Sequence, residues 1–163
     1  MARKVKPADS PAGDAYELAV RYLAGRPHTV AEIHRHLRSK KFDVETIDHA
    51  IDRLRAQRYV DDEAFARWWL EQRERFKPRG HRALRTELAQ KGVGRDVVDL
   101  VLGERAPDAD VEQARRALSR PLTRWADMPD AEKRRKIHTY LAARGFDYDT
   151  IDEVTRREVS EAE

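Results

Sequence analysis

One short pattern returns three times along this chain, and it limits the fold more than any other feature. The first copy reads Leu37, four residues, Phe42-Asp43, then Thr46-Ile47-Asp48, and the third reads Leu141, four residues, Phe146-Asp147, then Thr150-Ile151-Asp152, at a constant offset of 104. Between them Leu88, Gly92-Val93 and Val98-Asp99 hold the corresponding places, offset by 51 from the first copy and 53 from the third. A period near fifty residues marks an array of small, similar units.

Each unit is helical. Apolar residues recur at steps of three and four in Tyr16, Val20, Leu23, in Val30, Ile33, Leu37, in Val44, Ile47, Ile51, Leu54, in Val111, Ala114, Leu118 and in Ile137, Tyr140 or Leu141, the spacing of one helix face. Helix starts are signalled by Thr29-Val-Ala-Glu32 and Asp110-Val-Glu-Gln113, both with capping-box spacing, and by Asp43, Asp61 or Asp62, Asp127 and Asp147. Gly92 and Gly145 follow basic residues and precede apolar ones, as a left-handed residue ending a helix does. Lys41 stands at the equivalent place in the first unit, which predicts altered geometry or strain there. The pattern predicts about nine short helices, near 14–25, 29–41, 44–58, 62–76, 79–91, 95–104, 109–120, 129–144 and 148–158.

The expected fold is therefore all-α, three tandem three-helix repeats stacked into an elongated curved rod, because helices this short need packing within and between units. The expected division is a mobile basic arm over 1–13, repeats over 14–59, 60–106 and 107–158, and an acidic tail over 159–163. Leu, Ile, Val and Phe make up only about a fifth of the chain, so folding rests on that apolar residue set being well placed. No apolar run reaches the roughly 18 residues of a membrane span, the basic start lacks the apolar stretch of a signal peptide, and there is no cysteine. A cytoplasmic monomer is expected.

At Tyr59-Val60-Asp61-Asp62-Glu-Ala-Phe65-Ala66, followed by Arg73, Gly80, Arg82, Glu87-Leu88 and Lys91-Gly92-Val93, the chain resembles the RecX family of recombinase regulators. The resemblance extends to Ala15 through Leu23, Arg26, Glu32 to Leu37 and Leu141-Ala-Ala-Arg-Gly145-Phe146, covering about residues 14 to 155. It implies a regulator that lodges along the groove of a RecA filament on single-stranded DNA and inhibits its ATP hydrolysis, strand exchange and coprotease activities. Trp68-Trp69 is bulkier than the family signature requires, and Lys41 departs from its small turn residue.

The residues themselves offer little for catalysis: no Cys, no glycine-rich phosphate loop and no Gly-x-Ser-x-Gly. His34 and His36 diverge on a helix, Asp48-His49 with Asp52 lacks the partners of a metal-dependent phosphohydrolase, and no cofactor or metal is expected. Asp61 and Asp62 read as helix caps, with Tyr59 and Phe65 as an apolar staple around them.

Charge is the stronger signal. The chain carries +3 overall, but Arg73 to Lys91 holds Arg73, Arg75, Lys77, Arg79, Arg82, Arg85 and Lys91 against Glu74 and Glu87. A second basic stretch runs through Arg115, Arg116, Arg120 and Arg124 to Lys133-Arg134-Arg135-Lys136, whereas residues 145 to 163 are strongly acidic. Such patches attract phosphates or an acidic protein surface, or remain solvated faces laced by salt bridges. The expected contact set, for filament or DNA backbone, is Arg73, Arg75, Lys77, Arg79, Arg82, Arg85, Arg115, Arg116 and Arg135, with Trp68 or Trp69 as an aromatic anchor. One of the two rings is expected to pack with Phe65 and the other to lie nearer the surface. The alternative function is a stand-alone basic helical DNA-binding module.

Overall fold

The structure, a computed structural model, describes residues 11 to 160; most of the expected arm and the end of the acidic tail lie outside the described residues. Among the described residues there are nine helices: α1 Pro11–Leu23, α2 Val30–Ser39, α3 Val44–Ala56, α4 Asp62–Phe76, α5 His81–Gln90, α6 Arg95–Gly103, α7 Ala109–Arg124, α8 Asp130–Ala142 and α9 Tyr148–Ser160. They fall into two compact units, one of residues through Ala66 with Ala89–Val97, the other of Arg67–Leu88 with residues from Val98 onward.

In the first unit α1 packs on α3 and α2, around Ala15, Ala19, Ile33, Leu37, Ile47, Ile51 and Leu54. In the second, α7 and α8 pack on α9, around Leu118, Ile137, Leu141, Phe146, Ile151 and Val154. The repeated positions are the inward ones: Leu37, Leu88 and Leu141 are each 0% exposed, and Ile47, Val98 and Ile151 are buried too. Full burial of such a side chain contributes about 1.5–3 kcal/mol.

The Leu-x4-Phe spacing has a backbone cause. The Phe42 amide donates to the Leu37 carbonyl at 3.4 Å and the Phe146 amide to the Leu141 carbonyl at 3.3 Å, the bond that closes a Schellman turn and brings its two apolar residues together. That turn needs a left-handed residue just before the Phe, and Lys41 (φ 67°) and Gly145 (φ 81°) supply it. Lys41 thus keeps the turn geometry of the glycine and carries the strain of a side chain in it. The reason glycine is required in the other repeats lies in packing: a Cβ on Gly92 would sit 2.3 Å from the Ala31 Cβ, and one on Gly145 2.4 Å from the Ala83 amide nitrogen. Lys41 is exposed.

Helix starts follow the expected chemistry in α2, where Thr29 and Glu32 form a complete capping box, and in α3 and α9, where Asp43 and Asp147 accept from Thr46 and Thr150 amides at 2.8 Å. Asp61 caps α4 by accepting from the Glu63 and Ala64 amides. Three expectations are corrected. Asp110 makes no capping box, because α7 starts at Ala109 with Asp108 in the cap position, two residues earlier, and Asp110 instead accepts from the His81 amide at 2.8 Å and from Arg105. Asp127 does not cap α8, which follows Pro129. Tyr59 is 58% exposed, and the buried residue before the α4 cap is its neighbour Val60.

Two helix limits also shift. α1 begins at Pro11, inside the span read as an arm, and proline suits a first helical position because that amide has no intrahelical partner. α7 runs through Pro121 to Arg124 and does not stop at Arg120: the buried ring forfeits one amide bond, and the added turn is closed by the Trp125 amide on Pro121 and Leu122 carbonyls.

Candidate functional site: a basic groove in the second unit

The extra turn of α7 has a consequence for charge. Arg116, Arg120 and Arg124 now stand four residues apart on one helix, so all three share a face. Opposite them is the end of α4 and the segment after it, Arg75, Phe76, Lys77 and Pro78, and the groove between is completed by Tyr140 and Arg144 of α8 and its turn. Its volume is about 920 Å³.

Glycines hold that segment in place. The Gly80 amide donates to the Arg144 carbonyl at 3.0 Å and the Arg82 amide to the Gly145 carbonyl at 3.2 Å, while Asp110 takes the His81 amide. These three contacts satisfy first-turn donors of α5 that no intrahelical carbonyl can reach. The approach is close enough that a Cβ on Gly80 would meet the Gly145 carbonyl oxygen at 2.4 Å.

The lining holds six cations and no carboxylate. Arg75, Lys77, Arg116, Arg120, Arg124 and Arg144 make no ion pair among the described residues, and Arg144 lies over the Tyr140 ring at 3.4 Å. Gathering like charge without compensation costs folding energy, and the positive potential of such a groove attracts anions.

The rest of the expected contact set is used differently. Arg73 and Arg79 close on the half-buried Glu87, at 2.7 and 3.5 Å. Arg85 pairs with Asp99, Arg115 with Glu158 at 3.3 Å, and Arg82 is exposed on α5. Arg135 lines a neighbouring hollow with Trp125, Lys136 and Tyr140. The structure thus joins Arg75 and Lys77 to Arg116 and turns Arg73, Arg79, Arg85 and Arg115 toward carboxylates.

Neither tryptophan is well exposed. Trp68 and Trp69 are both half-buried, with ring centroids 6.2 Å apart, and Trp69 donates its indole N–H to Glu87 at 2.9 Å beneath the Arg73 guanidinium. The open ring near the cations is Phe76, 68% exposed. Its only sequence signal was a position between Arg75 and Lys77 just before Pro78. Arg144 and Tyr140 had none, because only the tertiary turn brings them to α7.

The first unit holds a closed polar cluster. Buried Glu32 accepts from Arg26, Lys91 and the Thr29 amide and contacts His28 Nδ1 at 3.0 Å. Burial alone would push its carboxyl up, but the hydrogen bonds and charges of Arg26 and Lys91 outweigh this and bring it to about 2. Burial and the Arg26 charge push His28 down. His28 and His36 stack on the two faces of Tyr22. Asp62, pushed up by burial, accepts from the Val30 amide at 2.8 Å and so caps α2. Asp61 and Asp62 therefore serve two different helices, as caps.

Three family models, described as the first, second and third three-helix domains of RecX, match residues 15–54, 61–102 and 108–155. This chain belongs to the RecX family. Relatives titled "Regulatory protein RecX" include that of Prosthecochloris aestuarii, 38% identical over 88% of this chain and 93% of its own. That of Chlorobium phaeobacteroides is 33% identical over 91% of this chain and 99% of its own. A crystal structure of RecX from Lactobacillus salivarius superposes with a TM-score of 0.81 over 91% of this chain and 96% of its own at 22% identity, which establishes the shared fold. RecX relatives are regulatory proteins by name, and this chain falls with them. No described helix is long and apolar enough to cross a membrane.

Proposed function

We propose that this RecX-family chain binds a RecA-type recombinase filament on single-stranded DNA and inhibits its ATP hydrolysis, strand exchange and coprotease activities. The observation that carries the reading is the groove of the second unit, a concave surface with six cations and no carboxylate. A filament on DNA offers both an acidic polymer and a repeating protein groove, and long-range attraction to it raises the rate of encounter. Inhibition needs no contact with the nucleotide: a protein that binds one filament state more tightly than the others shifts the population toward that state by its differential affinity. Arg75, Lys77 and Arg116 are the contact residues of the expected set that line the groove, and Arg135 extends it along α8. Arg82 stays in the proposed surface as an exposed cation on α5.

The test is the rate of single-strand-dependent ATP hydrolysis by the cognate recombinase while this chain is titrated from far below to equal stoichiometry. A fall that excess single-stranded DNA does not relieve supports the filament regulator. A fall abolished by added DNA, or none, makes the chain a stand-alone DNA-binding module.

A further inference from the structure

We infer that the groove of the second unit holds one unpaired nucleic-acid strand, with its phosphates on the α7 arginines and a base on Phe76. The inference takes from the preceding reading only that this groove is the contact, and it names what lies there.

Three observations converge. Arg116, Arg120 and Arg124 lie on one face of α7, spaced about 6 Å apart along the helix axis, which is the scale separating successive phosphates of an extended strand. Five of the six lining cations are arginines, whose planar donors bind phosphate oxygens in pairs. The third observation distinguishes a nucleic acid from an acidic peptide. Phe76 stands at the groove with 68% of its surface in solvent, on an α4 end whose neighbours are Arg75 and Lys77. With most of its surface in solvent the ring adds little to the core, whereas a positive groove with an aromatic platform is the usual way to hold unpaired bases. Tyr140 is closely covered by Arg144 at 3.4 Å and meets Trp125 edge-on, whereas Phe76 carries Arg75 over one face at the looser distance of 5.1 Å and keeps its other face for a base. A duplex hides its base faces in its own stack, so the platform favours a single strand.

The experiment is fluorescence anisotropy of a labelled twenty-nucleotide thymidylate strand with the full chain and no recombinase present, over a range of salt. Binding is expected to weaken with a log–log salt slope of about −3 to −4, the value for roughly five phosphates on a single strand. Phe76→Ala is expected to lower affinity roughly five- to fiftyfold with unchanged circular dichroism, since the ring is exposed. Arg120→Glu with Arg124→Glu is expected to lower affinity further and flatten the slope by more than about 1. Equal competition by polyglutamate, tighter binding of a duplex of the same length, or full affinity in Phe76→Ala would each overturn the inference. The two readings separate in the recombinase assay. Strand binding without inhibition of ATP hydrolysis would sink the filament regulator and leave the groove assignment standing; inhibition by a chain that does not hold the strand would do the reverse.

Discussion

Glu32→Gln isolates the most heavily used buried carboxylate in the first unit. Glu32 is 7% exposed and meets Arg26 at 3.1 Å, Lys91 at 3.0 Å and His28 at 3.0 Å. Its carboxyl falls from an ordinary 4.5 to about 2, and a displacement of that size corresponds to about 3 kcal/mol of folding free energy at neutral pH. The sign follows from proton binding. The unfolded chain takes up the proton first, so the contribution is complete above pH 4.5 and is lost as pH falls through about 2. Glutamine keeps the volume and an acceptor but not the charge, and it leaves Arg26 and Lys91 without their anion. Urea unfolding of both proteins at a series of pH values is expected to show the variant about 2–3 kcal/mol less stable at pH 7, with the gap shrinking below pH 4.5. A gap that stays constant down to pH 3, or none at pH 7, would refute the electrostatic account of this cluster.

Lys41→Gly is expected to raise stability by about 0.5–1 kcal/mol in the same assay, because it relieves a left-handed side chain at an exposed turn. Gly145→Ala is expected to lower it by about 2 kcal/mol or more, since the new Cβ has positive φ and also meets Ala83. Leu88→Asp puts a charge at a fully buried repeat position, and loss of the cooperative thermal transition is the outcome to look for by circular dichroism. Arg82→Glu with Arg85→Glu is expected to keep helical content, as the ion pair lost is that with the half-exposed Asp99, and to weaken inhibition of the filament; undiminished inhibition would remove α5 from the contact surface.

The helical class, the threefold repeat and the family are all legible in the sequence, for a local reason. Helix period, Schellman turns and aspartate caps are settled by residues within about five positions of one another, so Leu37 to Phe42 and Leu141 to Phe146 carry their own geometry wherever they are placed. The site was half legible. Its charge could be counted along the chain, but the pairing of that charge could not. Glu87, Asp99 and Glu158 claim arginines eight to forty-three residues away, and no local rule says which cation a carboxylate across the fold will neutralise. The same holds for the caps that moved. Asp110 left its own helix for the His81 amide, and Asp62 serves Val30, because a buried first-turn amide takes whichever acceptor packing brings to it. The groove depends on one further decision of this kind. Proline inside α7 is locally unfavourable by about 3 kcal/mol, so propensity ends the helix at Arg120, but with Pro121 buried the helix continues and carries Arg124 into line with Arg116. Residue order was enough to specify three helical repeats with a strong positive charge, while tertiary packing chose which of those charges remain unpaired, because neutralisation and burial are set by distance in space and not along the chain.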